Sequence, residues 1–516
     1  MHQYQNLTSP EKVPTGIEGF EHITIGGLPT GRTCLVAGSS GSGKTLLAME
    51  FLHRGYTQFG RKGVFVTMEE RAPDLVRNVK RMGWDLEPLL AKRCLMFIDA
   101  APEPVPIEES GPYDLSGLLV QIKYAIQAIG AELLVLDSIG SLFDQFSDNA
   151  TVRREIFRIT DTLKELGVTA LLTGERQEEY GQISRHGVEE FVSDTVIILR
   201  NVLKEEKCRR TIQVLKMRGD AHFKGEYPFT ISPKVGISIL PLSARELKQS
   251  STSVRVSSGN AKLDDMAGSG LFRDSILLIS GPTGGGKTLL ATTFAAEACR
   301  KGEKVLLLAY EESRAQLLRN AQSWGLDFQK WEEEGLLRVI CQYPEAMGLE
   351  DHLLLIQREI EDFRPQRLIM DSISAMERVG PVRYFREFVI GLTSYAKQEE
   401  VCSLFTSTTP KLSGGDSITE AHISTITDAI ILLRYVEVNG MLRRGIAVIK
   451  MRGSQHDKRI HEFTIDDRGL HIGVPFTNVQ NIILGVPSAT MPTESEQLGG
   501  IFGDDDSTGS GSSVAL

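Results

Sequence analysis

Apolar and polar positions along the chain fall into two alternating textures. Short runs rich in β-branched and other apolar residues predict strands buried on both faces: TCLVAG at Thr33, GVFVTM at Gly63, ELLVLD at Glu132, VTALLTG at Val168 and TVIILR at Thr195. Longer amphipathic stretches separate them, such as TLLAMEFLHRGYTQFG from Thr45, and these read as helices. Strand, helix and strand in alternation predict a parallel sheet covered by helices.

The same pattern then returns. VAGSSGSGKTLLA from Val36 is answered by SGPTGGGKTLLA from Ser280, with Lys44 and Lys287 lying 243 positions apart. Upstream, Gly16 of TGIEGFEHITIGGL faces Gly259 of SGNAKLDDMAGSGL at that same separation. Downstream, VFVTMEE and LLLAYEE end at Glu70 and Glu312, 242 apart, and RNVKRMGWDL answers RNAQSWGLDF. LLVLDS and RLIMDS place Asp137 and Asp371 234 apart, as are the lysines of two KMRG segments, Lys216 and Lys450. So small a drift indicates a tandem duplication with a few loop deletions. The expected organisation is an extension over residues 1–12, a first domain over 13–242, a polar linker over 243–253 and a second domain over 254–487. The tail 488–516, rich in Gly, Ser, Thr and Asp, cannot bury enough apolar area to offset its ordering entropy and is expected to be disordered.

Composition narrows the class. The 516 residues are 41% apolar and 24% charged, an ordinary soluble balance. A net charge of -10 argues against a uniform nucleic-acid-binding surface, though not against a local basic channel. The six cysteines (Cys34, Cys94, Cys208, Cys299, Cys341 and Cys402) show no zinc spacing and read as core thiols in a reducing compartment. The first residues lack the apolar run of a signal peptide. No stretch of about 18 apolar residues suggests a membrane span. A cytoplasmic location is expected.

Each repeat carries G-x-x-x-x-G-K-[ST] after a strand-like run and before a helix-like one. In the first these are Gly38, Ser39, Ser40, Gly41, Ser42, Gly43, Lys44 and Thr45. In the second they are Gly281, Pro282, Thr283, Gly284, Gly285, Gly286, Lys287 and Thr288. Glycines let successive backbone N–H groups turn inward around phosphates at a helix N-terminus. The lysines reach the terminal phosphates of ATP, and Thr45 and Thr288 offer hydroxyls to Mg²⁺. The fold class is α/β: two tandem RecA-like P-loop NTPase domains, each a mostly parallel sheet flanked by helices. A lone aspartate after a strand often only caps a helix. Following a P-loop in both repeats, Asp137 and Asp371 read as ligands of the Mg²⁺ shell. The pairs Glu69–Glu70 and Glu311–Glu312 would be solvated charge if they occurred once. Recurring at the end of the strand after each P-loop helix, they read as groups that orient and deprotonate an attacking oxygen. Lys216 with Arg218, and Lys450 with Arg452, share a strand face by alternation and suit contact with a phosphate across a subunit boundary.

With these motifs placed, the chain resembles the KaiC family, double-domain ATPases and autokinases of the cyanobacterial circadian clock. The resemblance covers residues 13–485 and includes RVSSG from Arg255, YEESRAQLLRNA from Tyr310, GLEDHL from Gly348 and SYAKQEE from Ser394. GVEEFVSD from Gly187 and HISTITD from His422 belong to the same set. It implies a homohexamer of two stacked rings with nucleotide between protomers. It also implies a slow ATPase in the N-terminal ring, where Glu69 and Glu70 activate water. The C-terminal ring would be a Ser/Thr autokinase and phosphatase acting on Ser424 and Thr425, where Glu311 and Glu312 activate the acceptor hydroxyl. Thr419 stands where the family has a further transient acceptor, followed here by Glu-Ala where Asp-Ser is expected. The repeat adds an independent point: 234 positions before Ser424 and Thr425 stand Glu190 and Phe191, which carry no hydroxyl.

Implied partners are other KaiC paralogues and a KaiB-like protein, docking near the acidic, proline-containing residues 102–116. The glycine-interrupted tail makes a poor amphipathic helix, which argues against a response to a KaiA-like activator. Two other classes fit a double P-loop chain. One is a RecA-type DNA-handling motor, but its loops near 144–152 and 412–420 carry acids and few lysines or arginines. The other is a non-catalytic, nucleotide-dependent scaffold ring.

Overall fold

The computed structural model describes residues 11–100, 115–143, 149–183, 189–204, 206–240, 251–409, 423–438, 440–477, 479–480 and 488–489. The chain forms two compact units, residues 1–246 and 247–516.

The first unit contains strands β1 (Thr33–Gly38), β2 (Gly63–Thr67), β3 (Leu95–Asp99), β4 (Leu133–Asp137), β5 (Thr169–Glu175), β6 (Thr195–Lys204), β7 (Lys207–Met217), β8 (Glu226–Ser232) and β9 (Gly236–Ile239). They make one nine-stranded sheet in the order β3-β2-β4-β5-β1-β6-β7-β8-β9. The six strands from β3 to β6 are parallel, and β7, β8 and β9 extend the sheet antiparallel. All five apolar runs read from the sequence are strands of the parallel part.

Burial of both faces explains their near-continuous apolar character. Val36, Phe65, Val135 and Leu171 pack on one side with Leu47, Phe51 and Leu52 of helix α1 (Lys44–Phe59) and with Leu75 and Val79 of α2 (Ala72–Lys80). Their neighbours Leu35, Val64, Leu134 and Leu172 point the other way. There they meet Leu118 and Ile122 of α3 (Leu115–Ile129) and Ile156 and Leu163 of α4 (Asn149–Glu165). Each such side chain contributes roughly 1.5–3 kcal/mol on burial.

The second unit repeats this plan. Its strands are β10 (Ile276–Gly281), β11 (Val305–Ala309), β12 (Leu337–Cys341), β13 (Arg367–Asp371), β14 (Cys402–Thr408), β15 (Ala429–Val438), β16 (Met441–Met451), β17 (His461–Asp466) and β18 (Gly469–Pro475). The order β12-β11-β13-β14-β10-β15-β16-β17-β18 is the order of the first sheet, strand for strand. Its helices include α5 (Lys287–Arg300), α6 (Arg314–Ser323), α7 (Leu349–Phe363) and α8 (Val382–Gln398). Ser313 and Gln316 close a reciprocal capping box at the start of α6.

Three expectations need correction. Cys34, Cys94, Cys299 and Cys402 are buried and Cys341 is half-buried, but Cys208 is exposed because it opens the hairpin strand β7 beside a turn. Residues 149–152, expected in a loop, begin α4. Ser488 and Ala489, expected in the disordered tail, pair with Val479–Gln480, whose backbone groups satisfy theirs. Residues 490–516, Thr419, the segment 412–420 and residues 102–114 lie outside the described residues. Among the described residues, no helix is long and apolar enough to cross a membrane.

Candidate nucleotide and acceptor sites

Each P-loop turns from the central strand of its sheet into the following helix, and its glycines take conformations other residues resist. Gly41 and Gly43 have φ of 74° and 99°, Gly284 and Gly286 of 75° and 95°. At Gly281 even a methyl group would meet the Leu433 carbonyl at 2.9 Å. Lys44 Nζ donates to the Gly38 and Ser39 carbonyls at 2.9 and 3.0 Å. Lys287 Nζ repeats this with Gly281 and Pro282 at 3.0 and 2.9 Å. Burial lowers the pKa of both ammonium groups, opposed chiefly by Glu175 at Lys44 and by Asp371 and Glu311 at Lys287. Each lysine is thus folded back over its own loop, close to where a phosphate's negative charge would replace the carbonyls.

The aspartates close the same clefts. Thr288 Oγ1 donates to Asp371 Oδ2 at 2.7 Å, and Thr406 donates to the other carboxylate oxygen. Asp137 accepts from Thr173 and from Thr45; burial raises its pKa, those bonds oppose the rise, and Glu69 adds to it. Both aspartates precede a cis peptide bond to the following serine. A threonine hydroxyl beside one carboxylate is the hard-oxygen donor set Mg²⁺ takes when phosphates supply the remaining ligands. Among the described residues no cluster of three His, Cys, Asp or Glu could cage a metal by itself. The residues therefore fit a nucleotide-bound Mg²⁺.

The glutamate pairs lie on bends just past strands that stop at Thr67 and Ala309. Glu69 accepts hydrogen bonds from Ser138 and Ser141. Glu311 faces Ser372 at 3.5 Å and pairs with Arg378 at 3.2 Å. Burial raises the pKa of Glu312, with the nearby Asp371 charge adding to it. Asn78 and Asn320 hold Glu70 and Glu312 alike, at 3.3 and 3.4 Å.

The KMRG residues stand at the other end of the sheet. Strand β15 runs parallel to β10, with Ala429 opposite Leu277. Ser424 and Thr425 therefore sit before the amino end of β15, whereas the P-loop follows the carboxyl end of β10. Six strand residues, about 20 Å, separate the two ends. Lys450 Nζ donates to the Ser424 and Thr427 carbonyls at 2.6 Å each, and Arg452 to the Thr425 carbonyl at 2.7 Å. Lys216 and Arg218 hold the carbonyls of Glu190 and Phe191 at 2.6 and 2.8 Å, so the aligned positions are also structurally equivalent. Thr425 is exposed and Ser424 half-buried.

Several groups in these sites escaped the motif reading. Thr173 and Thr406 support the aspartates from the neighbouring strand, and only the parallel β4–β5 and β13–β14 pairings bring them there. Glu179 accepts from Ser39 of the P-loop and from the Asn201 N–H. Lys164 and Lys397 pair with Asp194 and Asp428 at 2.9 and 2.8 Å beneath the KMRG segments; the recurrence of the lysines 233 and of the aspartates 234 positions apart was the available signal.

A family profile described as the KaiC ATPase matches residues 13–244 and again 256–475. The chain is 54% identical over 500 residues to the circadian clock protein KaiC3 of Synechocystis sp., covering 96% of this chain and 99% of that protein. Its identity to the circadian clock oscillator protein KaiC is 53% for Synechococcus elongatus, over 94% of both chains. For Thermosynechococcus vestitus it is 52%, over 96% of this chain and 95% of that one. With two matched profiles, two equivalent P-loop clefts and near-full-length identity, the chain belongs to the KaiC family of ATPases.

Proposed function

We propose that this chain is a KaiC-type clock protein whose first unit hydrolyses ATP and whose second unit phosphorylates and dephosphorylates Ser424 and Thr425 as a regulatory output. The observation that supports it best is the asymmetry at the KMRG end. One loop position is held by the same two cations in both units, yet only the second unit offers hydroxyls there.

In this reading Gly38 to Thr45 and Gly281 to Thr288 bind the phosphates, with Thr45, Asp137, Thr288 and Asp371 holding Mg²⁺, which neutralises charge developing on the transferred phosphoryl group. Glu311 and Glu312 take the acceptor proton in the second unit; Glu69 and Glu70 orient water in the first. A glutamate whose pKa is raised toward working pH, as burial does for Glu312, is the better base. Ser424 and Thr425 lie at the sheet end away from their own P-loop, so transfer takes place between protomers, as a homohexameric ring allows. Lys450 and Arg452 then meet the neighbouring phosphate while fixing the acceptor backbone, and Lys216 and Arg218 meet it in the first unit, where the backbone they hold carries no acceptor. KaiB-like proteins and other KaiC paralogues are the proposed partners in the cytoplasm, and the tail argues against a KaiA-like activator.

The test is phosphopeptide mapping of the full chain incubated with Mg-ATP, beside a Glu311→Gln/Glu312→Gln variant. Phosphate on Ser424 and Thr425 that disappears in the variant is expected. Hydrolysis without any phosphate on the chain would reduce it to a ring ATPase.

A further inference from the structure

Beneath the Glu311–Glu312 bend the two units differ in their interiors. Met68 and Tyr310 are equivalent, since each backbone N–H donates to the carbonyl of Asp137 or Asp371 at 2.8 and 2.9 Å. Ala100 and Gln342 are equivalent by their bonds to the ends of β2 and β11, at Thr67 and Ala309. Leu118 and His352 are each the fourth residue of α3 and α7. The first unit's set is apolar, whereas the second unit's set is polar and linked.

His352 is fully buried. One ring nitrogen, Nε2, lies 2.8 Å from the Pro344 carbonyl, which can only accept, so Nε2 carries a proton. The other, Nδ1, lies 3.0 Å from the Gln342 side-chain amide. The imidazole also meets the Tyr310 ring edge-on, with centroids 5.5 Å apart. Both arms return to the same carboxylate. Tyr310 directly precedes Glu311. From Pro344 the chain passes to Glu345, which pairs with Arg378 at 3.1 Å, and Arg378 pairs with Glu311 at 3.2 Å. Two hydrogen bonds at a buried ring thus fix the turn that carries the partner of Arg378, and the ring itself supports the residue before Glu311.

We propose that His352 is a positioning residue for Glu311, holding Tyr310 from one side and the Pro344–Glu345–Arg378 connection from the other. It rests on the reading of the second unit as a phosphotransfer site. Displacing a reacting carboxylate by about an ångström costs up to roughly a hundredfold in rate, while nucleotide contacts at the P-loop stay as they are.

The test compares phosphorylation by the full chain, His352→Leu and His352→Gln over a range of ATP concentrations. Leucine is the first unit's residue and fills the space; glutamine keeps an N–H for the Pro344 carbonyl. His352→Leu is expected to lower the maximal rate about tenfold or more with ATP half-saturation unchanged, and His352→Gln to recover most of it. Combined with Glu311→Gln, His352→Leu should add no further loss. A wild-type rate in His352→Leu, equal losses in both variants, or additive losses with Glu311→Gln would each overturn the proposal. If His352→Leu does not fold, Tyr310→Met/Gln342→Ala/His352→Leu carries the first unit's complete set, and a wild-type rate there overturns it equally. If the unaltered chain transfers no phosphate, the phosphotransfer reading falls instead. The same ordering is then read from ATP hydrolysis in a Lys44→Ala background.

Discussion

Glu50 shows how much one residue can hide. It lies on α1, two turns from the P-loop, with no solvent exposure. Its carboxylate receives the Arg54 guanidinium at 2.6 Å and the Ile237 N–H at 2.8 Å, while Gly236 lies against it. Burial pushes the carboxyl pKa up to about 7, with the Ile237 N–H and Arg54 opposing the rise. The folded value exceeds the unfolded one of 4.5, so folding takes up a proton between these values. Stability from this group is fully present at low pH and declines as pH rises from about 4.5 to 7. Glu50→Gln should remove that slope, up to about 3 kcal/mol, from the first-unit transition in denaturant melts between pH 5 and 8. Equal slopes in the two proteins would mean that Glu50 stays ionised throughout. The equivalent residue is Thr293, so this pH dependence belongs to the first unit alone.

At the scale of elements, the P-loop turn makes the sharpest demand. Gly286 starts α5 at φ 95°, and an added methyl group would meet Ile465 Cδ1 at 3.0 Å. Gly286→Ala should weaken ATP binding by the second unit roughly tenfold or more, since left-handed strain at a non-glycine costs about 1–3 kcal/mol. Titration with a fluorescent ATP analogue in a Lys44→Ala background reads this directly, and an unchanged affinity would show that the turn relaxes. The parallel strands and P-loop helices were legible because burial on both faces and the glycine spacing leave little choice. The antiparallel extension β7–β9 was less so: its exposed Leu215, and Cys208 beside its turn, break the simple alternation. The glutamate pairs read as strand ends, yet both strands stop earlier, at Thr67 and Ala309: Met68 and Tyr310 still bond to Asp137 and Asp371, and the chain bends there before the glutamates.

At the scale of the whole molecule, duplication repeats one sheet order in both units. Each unit carries its P-loop at one sheet end and the KMRG cations at the other, so in the proposed phosphotransfer neither end would be complete within one unit. Mixing a Lys287→Ala chain, expected to lose ATP use in its second unit, with a Ser424→Ala/Thr425→Ala chain tests this. Phosphate should appear on the Lys287→Ala chain only after mixing and exchange of protomers. Phosphate on that chain alone would show transfer without a neighbour's nucleotide site.

The sequence alone determined the two-fold repeat, the α/β class, both P-loops and the absence of hydroxyls at Glu190 and Phe191. These depend on local spacing and side-chain chemistry, which a string of residues displays directly. Tertiary structure decided which distant groups meet. Thr173 reaches Asp137 and Thr406 reaches Asp371 only because β4 lies beside β5 and β13 beside β14. Lys450 reaches Ser424 only because β15 and β16 pair antiparallel. His352 falls under Glu311 only because α7 packs its first turn against the β11 end. Contacts of that kind arise from strand order and register, and no local pattern encodes them.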